Sequence, residues 1–249
     1  MRRALAQLSR ELRSLWVTPL AYLLLTLFLL LQGSIFVAVV LSAVSEGDGS
    51  AGTSPLAAYY GQNSLLLTLT LLLLTPALTM RSFAEERRSG NIELLLSSPL
   101  CALGLTLSKY AAVLLTFCAF WIPTGLYPLL LRTQGPVEPG PLFTSYLGIL
   151  LLGMSTLSLG LLMSALSKSQ LLSHMLTSTA LLLLFVAGLG EYVFDAGVAR
   201  ELSAYVSLST LLEETSRGVL HLRRVAFHGS LTLYCLFLTT LVVQSWRSE

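Results

Sequence analysis

The chain has 249 residues, 54% hydrophobic and only 11% charged, with a mean hydropathy of +0.76. Water-soluble domains carry about 25% charged residues, so this composition cannot coat a solvent-facing surface. It excludes an ordinary soluble enzyme or binding module, and most of the exterior must face lipid. The net charge of +2 is small, and no nucleic-acid partner is expected.

Residues 1–18 open as MRRALAQLSRELRSLW, with Leu5, Leu8, Leu12, Leu15 and Trp16 at three- and four-residue steps and Arg2, Arg3, Arg10 and Arg13 elsewhere. This pattern predicts an amphipathic interfacial helix with its arginines toward anionic headgroups. A basic anchor with no further duty is the simpler alternative. The apolar run 19–44 exceeds a secretory signal core of about 7–15 residues. It is long enough to span a bilayer, which takes about 20, so an uncleaved first helix is expected.

Five further runs pass the same length test: 62–80, 104–131, 143–166, 171–194 and 225–246. The breaks between them are rich in Gly, Pro and Ser, as in SEGDGSAGTSP and RTQGPVEPGP. Helices satisfy their own backbone in lipid, and no barrel-like alternation is present. The expected fold is therefore all-α: one polytopic membrane domain over 1–249 with six transmembrane helices. Pro76, Pro123 and Pro128 are expected to kink their helices.

The stretch RSFAEERRSGNIELLLSSPL, residues 81–100, interrupts this apolar chain with three arginines and three glutamates. Burying Arg81, Glu85, Glu86, Arg87 and Arg88 at mid-bilayer would cost about 2.5–3.5 kcal/mol each, so the cluster belongs at or beyond the membrane surface. Good helix formers run to Ser89-Gly90, where glycine turns the chain. NIELLLSSP then predicts a second short helix ended by Ser97, Ser98 and Pro99. Two readings compete. One is a solvated loop whose Arg–Glu pairs contribute a few tenths of a kcal/mol each. The other is a docking element for a cytoplasmic partner, anchored by arginine.

Orientation follows from the basic residues. A cytoplasmic N-terminus puts ten Lys and Arg inside and five outside, with acids in the opposite bias, five against eight. Both termini and the 81–100 loop are therefore expected to be cytoplasmic, and 195–224 extracytoplasmic. The three cysteines, Cys101, Cys118 and Cys235, lack metal-site spacing and are expected to be small packing residues. The two lysines, Lys109 and Lys168, have no phosphate-cradling glycine loop before them, so no nucleotide or other cofactor is expected on this chain.

Some motifs mislead. EETSR (213–217) is one residue short of an intramembrane protease pattern, and the histidines it would need, His221 and His228, are seven apart. Its bland reading is a polar cap on a hairpin. GMSTLSLG (153–160) lacks the last glycine of a nucleophile elbow, and its small residues suit close helix packing in lipid. His174, Gln32, Gln62, Asn63 and Glu191 are expected to be packing or span-end polar groups.

EERRSGNIELLLSSPL closely resembles the loop between the second and third spans of type-2 ABC exporter permeases, in particular the branch of gliding-motility-associated permeases. That branch carries E-E-[RK]-R-S-G-T-I-E-L-L-L-T-S-P. ELRSLWVTPLAYLLL (11–25) is similar to the family's interfacial helix and first span. YLGILLLGMSTLSLGLLMSALSKSQ (146–170) is similar to its fourth span and inner turn. SLSTLLEETSRGVLHLRRVAFHGSLTLYCLFLT (207–239) is similar to its last extracytoplasmic segment and sixth span. Asn91 stands where the family often has Thr, and Leu100-Cys101 where Val and a polar residue are common.

The resemblance implies an inner-membrane exporter permease working by alternating access. Residues 81–100 would be a coupling helix seated on a separate ATP-binding-cassette ATPase, with Glu85, Glu86, Arg87, Arg88 and Glu93 pairing across that interface and Gly90 making the turn. Glu213, Glu214, Arg217 and Gly218 would form an extracytoplasmic helical gate. The expected partners are the lipid bilayer, two ATPase copies carrying ATP and Mg, and a second permease copy, identical or related. The alternatives are a polytopic membrane enzyme acting on lipid or peptide, and a non-transporting anchor for an ATPase-driven machine.

Overall fold

The computed structural model describes residues 2–45, 58–62, 64–90, 101–132, 138–194 and 197–246. In chain order its helices are α1 (Arg2–Val17), α2 (Pro19–Ser45), α3 (Ser64–Thr79), α4 (Ala84–Arg88), α5 (Ala102–Trp121), α6 (Leu126–Leu131), α7 (Pro139–Leu166), α8 (Gln170–Val193), α9 (Val198–Val206), α10 (Leu208–Ser216) and α11 (Leu222–Ser245). Among the described residues there is no strand. Six stretches are long and apolar enough to cross a membrane: Pro19–Ser42, Ser64–Arg88, Ala102–Leu131, Pro139–Leu166, Gln170–Val193 and Leu222–Ser245. The protein is an all-α polytopic membrane protein.

The helix at Pro139 begins four residues before the apolar run read from the sequence. Proline at the first helical positions is preorganised and gives up only an N–H that has no intrahelical partner there. Pro123 starts a single 3₁₀ turn, Pro123–Gly125, that divides the third span into α5 and α6. Pro76 lies inside α3. Cys101 departs from the packing expectation: it is exposed, and its sulfur accepts the Gly104 N–H at the start of α5. Cys235 is buried.

The spine of the bundle is α7, which packs against α11, α8, α10, α3 and α5. Close approach is possible because α7 turns a glycine to several neighbours: Gly148 faces Thr215, Gly153 faces Phe117 and Gly160 faces Thr79. Thr68, Thr79, Thr156, Thr232 and Thr239 are buried and bond the carbonyl one turn back, at 2.7–2.9 Å, which satisfies them inside their own helix.

Ahead of α3, residues Ala58–Gln62 form one π turn. Tyr59 and Tyr60 are buried there, and the Tyr59 hydroxyl donates to Gln32 Oε1 of α2 at 2.8 Å. Burial, with Tyr127 and Tyr146 adding to it, holds the Tyr59 hydroxyl well above the usual phenol range, so it remains a donor. At the same end of the bundle, Gly188 of α8 lies against the Ser207 backbone. A β-carbon there would meet Ser207 Cα at 2.8 Å. Backbone cannot rotate out of the way, so Gly188→Ala should destabilise the fold by about 1–3 kcal/mol. The thermal midpoint of the detergent-purified variant tests this, and an unchanged midpoint would show that the Ser207 segment yields.

Candidate functional site: the charged elbow at residues 81–90

After Thr79 the chain turns through Met80–Phe83 into the five-residue α4, and at Gly90 the backbone adopts φ +71°. This left-handed residue ends the helix as glycine usually does. The N-terminus of α4 has no cap of its own from Phe83. Ser164, near the C-terminus of α7, supplies one: its Oγ accepts the N–H of Phe83 at 3.1 Å and of Ala84 at 3.2 Å.

The charges of the elbow turn largely inward. Arg81 grips both Glu85 oxygens, at 2.8 and 2.9 Å. Arg87 donates to the Ala165 carbonyl at 3.1 Å, and its guanidinium lies 4.8 Å above the Trp246 ring. Glu86 accepts from Lys109 Nζ at 2.8 Å through Oε1. Its other oxygen is enclosed, with no hydrogen-bond partner among the described residues. Arg88, Ser89 and Gly90 are exposed. Glu93 and the short helix expected over NIELLLSSP lie outside the described residues.

Lys109 is the centre of this arrangement. Its side chain is 1% exposed, yet all three ammonium protons are placed: on Glu86 Oε1, on the Ser82 carbonyl at 2.7 Å, and on Glu11 Oε1 at 3.1 Å. Phe83 presents its ring 5.1 Å from Nζ. Glu11 also accepts from Gln7 at 2.7 Å. One buried cation thus ties α1, the elbow and α5 together. A tripod of this kind is how an ion survives where desolvation is severe. The N-terminal helix is therefore clamped onto α5, with Trp16 edge-on to Phe120 at 6.2 Å, as well as being amphipathic.

Glu11 entered the sequence reading only as a charge to be counted, and Lys109 only as a charge and as a lysine without a phosphate loop. Two signals could have exposed them. Lys109 is one of two lysines and lies inside an apolar run, where an ionisable residue calls for a named partner. Glu11 falls on the helical face of Leu8 and Leu15, three and four residues away.

The residues expected to gate the protein sit at the opposite end. Along α7, Thr144 and Ala165 are separated by about 30 Å at 1.5 Å per residue. Thr144 bonds the Thr215 carbonyl of α10 at 2.6 Å, while Ala165 meets Arg87. Glu213 pairs with Arg217 at 2.6 Å in the open. Gly218, at φ +82°, closes α10: its N–H reaches the Thr215 carbonyl, and the Val219 N–H reaches that of Glu214, both at 3.1 Å. This is a Schellman cap. Glu214 pairs with Arg224 of α11 rather than with Arg217. Arg224 Nη2 lies 2.9 Å from Glu214 Oε1, Nε bonds the other oxygen, and Nη1 bonds the Ala204 carbonyl at 2.6 Å.

One serine of the GMSTLSLG stretch does meet a histidine. Ser155 Oγ is 2.9 Å from His228 Nδ1. The Leu152 carbonyl, 3.0 Å from the same Oγ, competes with the imidazole for the one hydroxyl proton. Both residues are 0% exposed. The pair clips α7 to α11. Glu191 accepts from Thr210 at 2.6 Å, a span-end polar contact as expected.

Six apolar spans with polar elbows at both ends define a multi-pass membrane protein. The profile of the family described as "ABC-2 family transporter protein" matches residues 48–213, about two thirds of the chain, including the elbow and Lys109. The chain belongs to this family: it is a membrane permease of an ABC transporter, and membership implies association with an ABC ATPase subunit. No curated protein matches the sequence.

Proposed function

We propose that the chain is the permease half of a type-2 ABC exporter of the gliding-motility-associated branch. In this reading it lies in the inner membrane with both termini and the 81–100 loop in the cytoplasm. Two copies of a separate ATPase, which bind ATP and Mg, drive two permease copies through alternating access. The ATPase seats on the exposed tip of the elbow at Arg88–Gly90 and on the following segment with Glu93. Glu85, Glu86 and Arg87 stiffen that tip. At the other end, the α10 hairpin with Glu213, Glu214, Arg217 and Gly218 works as the gate.

One observation carries this reading. The elbow is bonded to α1 and α5 through Lys109 and to α7 and α11 through Arg87, Ser164 and Trp246. A push on residues 84–90 therefore reaches four helices without a flexible joint. Arg88→Glu tests it cleanly, because this side chain is exposed while Arg87 holds the bundle. The expected result is loss of ATPase co-purification and of ATP-dependent flux in vesicles, with an unchanged thermal midpoint. An Arg88→Glu permease that still binds its ATPase and turns over normally overturns the docking assignment. Intact ATPase binding without flux of any cargo in the wild type would instead favour a machine anchor.

A further inference from the structure

At the end of the bundle opposite the charged elbow, α9, the α10–α11 connection and the first turn of α11 line a half-open cavity of about 400 Å³. That lies within the range of small-molecule sites, about 300–1,000 Å³. Its charges divide into a settled pair and an unsettled one. Arg224 and Glu214 satisfy each other, and the remaining Arg224 nitrogen is held by the Ala204 carbonyl, so this pair forms a wall. Arg223 and Glu201 are both exposed and both line the cavity. The Arg223 guanidinium lies 4.6 Å over the Tyr205 ring, a stacking contact that uses the face of the guanidinium and not its N–H donors. Glu201 is four residues before Tyr205 on the same face of α9, about 5–6 Å away between β-carbons. His221 stands beside the wall, 4.0 Å from Glu214.

A guanidinium over Tyr205 and a carboxylate one helical turn before that ring, lining a shared cavity, match a ligand that carries both charges close together. The surroundings identify its source. Arg223 is the second residue of the last span, and each member of the open pair has an exposed apolar neighbour in the chain: Leu222, 81% exposed, precedes Arg223, and Leu202, 62% exposed, follows Glu201. A water-borne zwitterion would gain nothing from such neighbours, whereas a membrane lipid would lay its chains along them. We propose that this cavity is a binding site for the phosphoethanolamine headgroup of a membrane lipid, with the phosphate on Arg223 and the primary ammonium on Glu201. Choline, which has no N–H to donate to the carboxylate, and glycerol, which has no charge for it, are both discriminated against.

The test uses the full chain reconstituted in nanodiscs of equal parts phosphatidylethanolamine, phosphatidylcholine and phosphatidylglycerol, with lipids retained after release read by native mass spectrometry. Retention of phosphatidylethanolamine should exceed each of the other two by about tenfold, the scale of one charge-assisted hydrogen bond. Arg223→Ala should abolish that preference, and Glu201→Gln should shift it toward phosphatidylglycerol. Arg217→Ala should leave it intact, and thermal midpoints should confirm that all variants are folded. Equal retention of the three lipids overturns the proposal, as does a preference that survives in both Arg223→Ala and Glu201→Gln. Displacement of the lipid by an equal concentration of soluble glycerophosphoethanolamine overturns its assignment to the bilayer.

Discussion

Lys109→Met should lower the unfolding free energy by about 3–5 kcal/mol, the loss typical when one partner of a buried ion pair is removed. The substitution keeps the apolar stem but takes the donor from the Ser82 carbonyl and leaves Glu86 and Glu11, only 18% and 14% exposed, with the exposed Arg10, at 3.7 and 3.4 Å, as their remaining charge partner. Adding Glu86→Gln should recover part of the loss, because one fewer uncompensated carboxylate remains; the two sites are in contact and should not be additive. Lys109→Arg keeps the charge, but its planar fork cannot reproduce a tripod of three acceptors, and it should fall between methionine and wild type. Thermal unfolding in detergent measures all three. A Lys109→Met midpoint equal to wild type would show that the clamp between α1, the elbow and α5 contributes nothing.

The second large effect is expected at the far end, and it separates two arginines that look alike in sequence. Arg224→Ala should cost about 3–5 kcal/mol, since it removes the guanidinium that pairs with Glu214 and takes the donor from the Ala204 carbonyl. Arg217→Ala should change stability by less than about 1 kcal/mol, as exposed i,i+4 pairs do. The exposures decide this: the Arg224 side chain is 9% exposed and that of Arg217 is 70% exposed. Comparing the two midpoints checks the ordering, and equal shifts would refute it. The consequence for the gate is that Glu214 acts as an internal strut, while Glu213 and Arg217 face outward.

What could be read in advance was set by physics local to the chain. A run of twenty apolar residues has few fates, so the six spans and the helical class were legible. Glycine after a polar helix end marked the left-handed turn at Gly90 before any coordinate, whereas Gly218 had been named only as part of the gate motif. The stretch around Glu85–Arg88 was visible because five charges cannot lie at mid-bilayer. The partners of those charges were not legible. Periodicity says which face a residue occupies, but not which distant helix meets it. Lys109 reaches Glu11 across 98 positions, and Ser164 caps α4 from 80 positions away. For the same reason EETSR suggested Glu213 and Glu214 as equals, whereas the fold sends one to solvent and the other to Arg224. The start of α7 was misplaced because hydropathy cannot see that proline favours a first turn.

The contact between Arg87 and Trp246 has a practical corollary. An indole held 4.8 Å beneath a guanidinium, with Phe83 edge-on at 5.9 Å, is a native fluorophore mounted on the joint itself. The chain has three tryptophans. With the other two, Trp16 and Trp121, replaced by phenylalanine, its emission follows that joint alone through each turnover, with no dye attached.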